Sequence, residues 1–379
     1  MKVIVLGCGM MGKEVASDLL ETGRVSSLTV GDFNLAKAEQ YVREEDDERL
    51  TAERVDVTDR GHLVPLLRRF DLAINATWYE LNMHITRGAI ESGIDYLDLG
   101  GLYRFTKKQM ELDGQAKAAG VTVAIGCGSS PGLTNVLARH AADRMEKVEE
   151  IHIRAGGVQL ERKPRFAFGY SIRTILDELL LNPVLYRNGE YVEVEPLSGE
   201  ETLTFPEPLG DVRFIHTLHS EIATLPTYIN KGIRLVEFKV AFPTPMLEPL
   251  KTLINLGMLG EKPVAMKGVE IKPSEFVLAY FDSMTVERAS YAGVTRVEVV
   301  GMEEGRRTRR ILQMIKKYKP GERGLTGIVA STVSQMLGGG EIETKGVVPP
   351  EACVPPNRMI RALLERGFSL QETVIKELI

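Results

Sequence analysis

The opening stretch MKVIVLGCGMMG constrains this chain more than any other. An apolar, β-branched run from Lys2 to Leu6 enters Gly7, Gly9 and Gly12 in the spacing G-x-G-x-x-G, and a helical apolar period follows from Met11 to Leu20. Strand, glycine turn and helix in that order form a unit whose free backbone N–H groups hold a pyrophosphate at the positive end of the helix dipole. Met10 and Met11 open that helix and belong to the same cradle. The next strand, Ser27 to Gly31, ends at Asp32, about 20 residues beyond Gly12, where an acid accepts hydrogen bonds from ribose hydroxyls. A 2′-phosphate would meet that carboxylate with like-charge repulsion, and Phe33 and Asn34 follow it rather than Arg, so NAD is expected over NADP. The other reading of Asp32 is a helix cap.

The alternation continues. Strands are expected at Arg54 to Val57, Leu72 to Asn75, Asp95 to Leu99 and Val121 to Ile125, with helical stretches between them. Six strands make a doubly wound parallel sheet whose right-handed crossovers bring the ligand-binding ends to one edge. Asp56 at the third strand end either reaches the adenosine or forms a plain turn. Asn75, Ala76 and Thr77 end the fourth strand and let the cofactor pass; Gly100 follows the fifth. The loop GCGSSPGLTN, Gly126 to Asn135, comes after the sixth, and its Ser129 and Pro131 are expected at the nicotinamide. The alternative for this loop is a domain linker.

A chain of 379 residues is long for one core and suggests two domains. From Glu149 the period changes to that of strands, with an Asn-Gly turn within Arg187 to Glu190 and a hairpin pattern from Val294 to Lys317. The fold class expected is α/β: a Rossmann doubly wound parallel sheet with a second α+β domain containing a mainly antiparallel sheet. The boundaries read as 1–130 for the NAD-binding domain, 131–322 for substrate binding and dimerisation, and 323–379 for C-terminal helices that pack back on the first domain.

Net charge is −5, with no basic block to neutralise a line of phosphates, which argues against a nucleic-acid partner. No apolar run reaches the ~18 residues of a membrane helix, and the start lacks a signal-peptide core, so a soluble cytoplasmic protein is expected. Three widely spaced cysteines form neither a disulfide framework nor a metal-ligand spacing, and no metal is expected.

In FIHTLHSEIATLP, Phe214 to Pro226, two of only six histidines fall together. If Phe214 to Ile222 is a strand, His219 and Glu221 share one face while His216 and Ser220 share the other. Removing a hydride from an amine-bearing carbon needs a neutral amine, and an imine product must be attacked by water. Both steps call for a base titrating near neutrality. His219 suits that role, with Glu221 to orient it or to bind the substrate ammonium. His216 reads as structural, and a core hydrogen-bonding role is the alternative for His219 as well. Arg173 and Arg213 are candidates for a substrate carboxylate, Asp98 and Thr224 for other substrate contacts, and Tyr79 and His84 lie near the expected cleft.

The ordered combination of VLGCGMMG, YLDLGG (Tyr96 to Gly101), GCGSSPGLTN, HTLHSEIATLP and GVVPPE (Gly346 to Glu351) resembles the saccharopine dehydrogenase superfamily over nearly the whole length, and within it the L-lysine 6-dehydrogenases. The resemblance implies an NAD-binding domain completed by C-terminal helices and a homodimer made largely through the substrate domain. It also implies a small amino acid substrate oxidised at an amine carbon, C6 of lysine in that subfamily. The product aldehyde cyclises to a piperideine carboxylate after ammonia leaves. Saccharopine and carboxynorspermidine enzymes, which act on secondary amines, are the competing members. A non-catalytic dinucleotide-binding regulator is the competing class.

Overall fold

A computed structural model of the chain describes residues 1–22, 24–161, 169–284 and 290–377. Its first part alternates strand and helix: β1 (Lys2–Leu6), β2 (Ser27–Asp32), β3 (Leu50–Arg54), β4 (Leu72–Asn75), β5 (Asp95–Asp98) and β6 (Thr122–Ala124). All pair in parallel in the order β6-β5-β4-β1-β2-β3. Val3, Ile4, Val5 and Leu6 are all fully buried because helices cover both faces of a parallel sheet. Strand order reverses between β1 and β4, which opens the ligand crevice at their carboxyl ends.

A seventh strand, Gly346–Val348, joins this sheet in parallel beside β6 although more than half the chain separates them. The helix Leu325–Gly338 packs on the helix Met10–Glu21 that follows the glycine turn. The first sheet is therefore completed from the far end of the chain. β3 ends at Arg54 instead of starting there, since Asp56 folds the next residues into a turn.

The second sheet is mixed. Its strands are β7 (Lys147–Gln159), β8 (Val184–Arg187), β9 (Glu190–Glu193), β10 (Glu201–Phe205), β11 (Gly210–His216) and β12 (Leu235–Ala241). A separate hairpin, β13 (Val264–Met266) with β14 (Val269–Ile271), precedes the long pair β15 (Tyr291–Glu303) and β16 (Arg306–Tyr318). The main path runs β10-β11-β12-β7-β15-β16 and ends on Leu370–Lys376, with β8 and β9 attached to β12. Only β7 and β12 pair in parallel along it; the other pairs are antiparallel. The C-terminal segment was expected to be helical and to return wholly to the first sheet. Its last strand instead extends the second one, because the alternating residues of Leu370–Lys376 continue the ladder of β16.

The helix Leu133–Ala142 links the two sheets. It starts from the loop after β6 and packs against both β15 and the helix Glu221–Ile229.

Candidate active site

The glycine cradle is built as its spacing requires. Gly7 passes within 2.7 Å of β2 through its N–H to the Gly31 carbonyl, and Gly12 lies so close that a Cβ there would sit 1.8 Å from the Gly7 oxygen. No residue but glycine fits that approach. A Cβ on Gly9, by contrast, would meet nothing within 4 Å, and Gly9 heads the Met10–Glu21 helix without any side-chain cap. The helix start thus presents uncapped N–H groups to open space, with Met10 and Met11 half-buried beside it. These are the properties of an anion site. Asp32 stands next to it and accepts hydrogen bonds from the backbone of Cys8 at 2.7 Å and of Asn34 at 2.9 Å.

The floor of the crevice comes from the ends of β4 and β5. Asn75 is buried and spent internally: its carbonyl takes the Thr77 amide (3.0 Å) and hydroxyl (2.6 Å), and its amide donates to Asn82 and Tyr96. It shapes the turn that lays the Ala76–Thr77 backbone against Gly7, so Asn75 itself is not left to touch a cofactor. Asp56 takes up the turn-forming role: one carboxylate oxygen accepts from the hydroxyl and the amide of Thr58, and these bonds hold its carboxyl below the usual range.

Asp98 does not face substrate. It is fully buried, and its carboxylate accepts from Gly126 (2.8 Å), Gly100 (2.9 Å), Gln109 (2.7 Å) and Tyr96 (3.2 Å). Burial raises its pKa, with those hydrogen bonds opposing. The carboxylate ties the end of β5 to the loop after β6. Pro131 is likewise buried, wedged against Gly100 and Gly126, and works as packing rather than as a cofactor contact. Ser129 remains partly exposed and accepts a hydrogen bond from Thr326 at 3.3 Å.

This loop delivers two hydroxyls to the histidine segment. Gly132 turns with φ +128°, and the helix Leu133–Ala142 begins beyond it. Ser130 and Thr134 both donate to one oxygen of Glu221, at 2.6 and 2.8 Å. The other Glu221 oxygen contacts Nδ1 of His219. The pair was expected on one strand face, but the ladder ends at His216. Residues 217–220 form a loop and Glu221 starts a helix, where its charge is favoured by the dipole. Loop and helix geometry, not strand parity, brings the two side chains together.

His219 is nearly buried and stacks on Phe238 with ring centroids 3.8 Å apart and planes at 17°. Burial disfavours its charged form, but the charge and hydrogen bond of Glu221 outweigh that and raise its pKa above the usual 6.5. Glu221, fully buried, shows the converse: burial would raise it, yet the His219 charge and bond and the Ser130 bond keep it low. Glu178, on the helix Ile172–Leu180, adds a buried carboxyl within electrostatic reach of His219. Burial pushes it up to about 7, although His219 and the Tyr170 hydroxyl at 2.7 Å oppose the shift.

His216 belongs to a different network, as a structural residue should. Its ring faces Glu237 at 3.2 Å, which also engages His152 at 2.8 Å and Arg154. Arg213 is corrected as well: it is exposed and pairs with Glu248 at 3.0 Å, so it does not reach the His219 pocket. Thr224 is buried and bonded within its helix and to Asn135, closed to a ligand. Arg173 lies at the rim, its guanidinium 5.7 Å from the Trp78 ring centre, near the 2.5 Å bond from Tyr79 to Asp177 that joins the two sheets' elements.

Ser130, Thr134, Glu178 and Glu351 were not singled out from the sequence. Glu351 accepts from Asn135 at 2.9 Å and, buried, is pushed up to about 7. A usable signal existed for Glu178: it sits among the apolar residues Leu176, Leu179 and Leu180 of a helical run.

Comparison with known proteins agrees with this architecture in two consecutive blocks. The model of the saccharopine dehydrogenase NADP binding domain matches residues 3–124, and that of the saccharopine dehydrogenase C-terminal domain matches residues 128–368. The chain belongs to the saccharopine dehydrogenase family. A carboxyaminopropylagmatine dehydrogenase from Synechocystis is 23% identical over 80% of this chain and 78% of its own length. A carboxynorspermidine synthase from Vibrio cholerae is 24% identical over 81% and 79%. The solved apo saccharopine dehydrogenase (L-Glu forming) from Saccharomyces cerevisiae shares the fold, with a TM-score of 0.76 at 17% identity over 99% of both chains.

This saccharopine dehydrogenase family member is thus an NAD(P)-dependent oxidoreductase, and the cradle of Gly7, Gly9 and Gly12 fits its nicotinamide dinucleotide. The two bacterial relatives are a carboxyaminopropylagmatine dehydrogenase and a carboxynorspermidine synthase rather than lysine 6-dehydrogenases. Among the described residues no helix is long and apolar enough to cross a membrane.

Proposed function

We propose that the chain oxidises an amine-bearing carbon of a small amino acid substrate, L-lysine at C6 being the substrate that its resemblance to the L-lysine 6-dehydrogenases implies. The observation that carries the reaction type is the buried His219–Glu221 pair, anchored to the loop after β6 by Ser130 and Thr134. The bound nicotinamide supplies the hydride acceptor. His219, in its neutral form, takes the proton from the substrate ammonium and frees the lone pair that drives hydride departure. Once that proton has passed to solvent, the neutral imidazole takes a second one from the water that adds to the imine and returns it to the nitrogen, so that ammonia leaves as the aldehyde forms. Glu221 holds the ring in place and stabilises its charged form. Phe238 and the low exposure of the pair keep competing solvent out. The cofactor is held by Gly7, Gly9, Gly12 and Asp32, with NAD preferred because Asp32 repels a 2′-phosphate.

A secondary amine is the second reading, and the names of the two bacterial relatives favour it. The same proton transfers serve it, with an amine in place of ammonia as the group that leaves. Nicotinamide absorbance with NAD or NADP and L-lysine, saccharopine or carboxynorspermidine separates the two. Reduction with lysine supports the first reading; turnover of a secondary amine alone replaces it by the second. Dinucleotide binding without any turnover would mark a regulator.

The raised pKa of His219 gives the pH dependence a definite sign. Neutral imidazole is the active form for amine oxidation, so kcat should rise with pH along a limb lying above 6.5. Glu221→Gln keeps acceptors for Ser130 and Thr134 but removes the charge that holds the His219 proton. The limb should then move to lower pH. A limb that stays in place would separate Glu221 from the titrating group.

A further inference from the structure

The helix Pro356–Glu365 carries Asn357, Ile360, Arg361 and Leu364 at i, i+3, i+4 and i+7, the spacing of a single helix face. That face does not close on a neighbour. It walls a cavity of about 360 Å³, whose other side is Leu312, Leu370 and Glu372 of the second sheet, with His140 between the two. Leu312 and Glu372 stand opposite each other across β16 and the strand Leu370–Lys376. The space opens because the helix packs on Leu133–Ala142 and Leu325–Gly338, while the chain beyond it crosses to the edge of the second sheet. Small-molecule sites favour such joints, and the volume falls within their usual range.

Its polar groups are unmatched within the chain. Arg361 makes no hydrogen bond or ion pair among the described residues, and the His140 ring makes no hydrogen bond among them. Burial and the charge of Arg144 lower the His140 pKa against the pull of Glu372, so the ring is neutral and can donate or accept. Glu372 accepts from Arg310 at 2.6 Å through one oxygen, which leaves the second for another donor; Arg310 is itself spent on both oxygens of Glu303. Leu364 is 50% exposed at the mouth, an apolar side chain with room beside it. A free guanidinium, a half-used carboxylate and four aliphatic side chains therefore face one space.

We propose that this cavity is a second amino acid site, separate from the oxidation site, and that it takes a free α-amino acid with an aliphatic side chain. Arg361 receives the carboxylate in a two-pronged contact, Glu372 receives the ammonium, and Leu312, Ile360, Leu364 and Leu370 cover the side chain. The opposite charges on the two walls select a ligand that carries both signs. None of these residues belongs to the glycine cradle or to the His219 pocket. His140 lies near the end of the helix Leu133–Ala142, whose first turn holds Glu221 through Thr134.

Calorimetric titration of the full chain with L-leucine, without dinucleotide or amine substrate, tests it. The unaltered chain should bind L-leucine with a dissociation constant of about 0.1–1 mM. Leucinol, which lacks the carboxylate, and 4-methylpentanoate, which lacks the ammonium, should each bind at least about 10-fold more weakly. Arg361→Ala should weaken L-leucine by about 10-fold or more, and Leu364→Glu, which sets a like charge at the mouth, should do the same. Both positions are exposed, so thermal unfolding and turnover of the amine substrate should stay as in the unaltered chain. No heat of binding at about 10 mM L-leucine, or an affinity unchanged in Arg361→Ala, overturns the proposal. Equal affinity for either fragment overturns the amino acid class. The titration involves no oxidation step, so a wrong substrate assignment leaves these outcomes readable.

Discussion

Replacing His219 by alanine is expected to lower turnover at least about 100-fold while leaving dinucleotide affinity nearly unchanged. The imidazole is the titratable group held between Glu221 and Phe238, where one ring can serve both amine deprotonation and water attack. Glu221 is locked by Ser130 and Thr134, and Glu178 is drawn toward its neutral form by burial. The glycine cradle, Asp32 and the Ala76–Thr77 floor are built from the first sheet and do not depend on the ring. Binding of NAD, followed by fluorescence, therefore serves as the control for folding. Partial restoration of turnover by added imidazole would identify the missing group as a base. Full activity in His219→Ala would remove it from the mechanism and leave the pair as a packing element.

The second large effect concerns stability. Asp98→Ala should destabilise the chain by about 3–4 kcal/mol, since two backbone amides, a glutamine and a tyrosine lose their acceptor in a site that water does not reach. For a domain of this size that corresponds to a fall in Tm of roughly 10 °C. Asp98→Asn should cost far less, about 1 kcal/mol. The Gln109 carbonyl is buried without a hydrogen-bond partner, so rotating its amide offers that oxygen to the new donor. Thermal unfolding of the two variants decides the point. If both keep the stability of the unaltered chain but raise KM for the amine, Asp98 contacts substrate after all.

The contrast between Asp98 and His219 shows where reading the chain succeeds. Both are polar residues flagged at places where ligands were expected, and only burial and partners separate them. Asp98 looks like a ligand contact because it ends a strand at the cofactor edge. It is instead the knot that joins that edge to the next loop. Arg213 fails for a simpler reason: strand parity turns it outward, to Glu248. Conversely, Glu178 was passed over because its relevance comes from a neighbour distant in sequence, His219 across two elements.

The sequence by itself determined the glycine turn, its helix, the acid that ends β2 and the succession of strands and helices, because each follows from local sterics and a short hydrophobic period. It also singled out His219 with Glu221, two residues apart and rare in type. Tertiary structure alone decided what those groups meet. It carried Gly346–Val348 into the first sheet, set Leu370–Lys376 on the second, and brought Ser130 and Thr134 to Glu221. These outcomes depend on which distant surfaces bury one another, a property of the whole chain's packing that no local window contains.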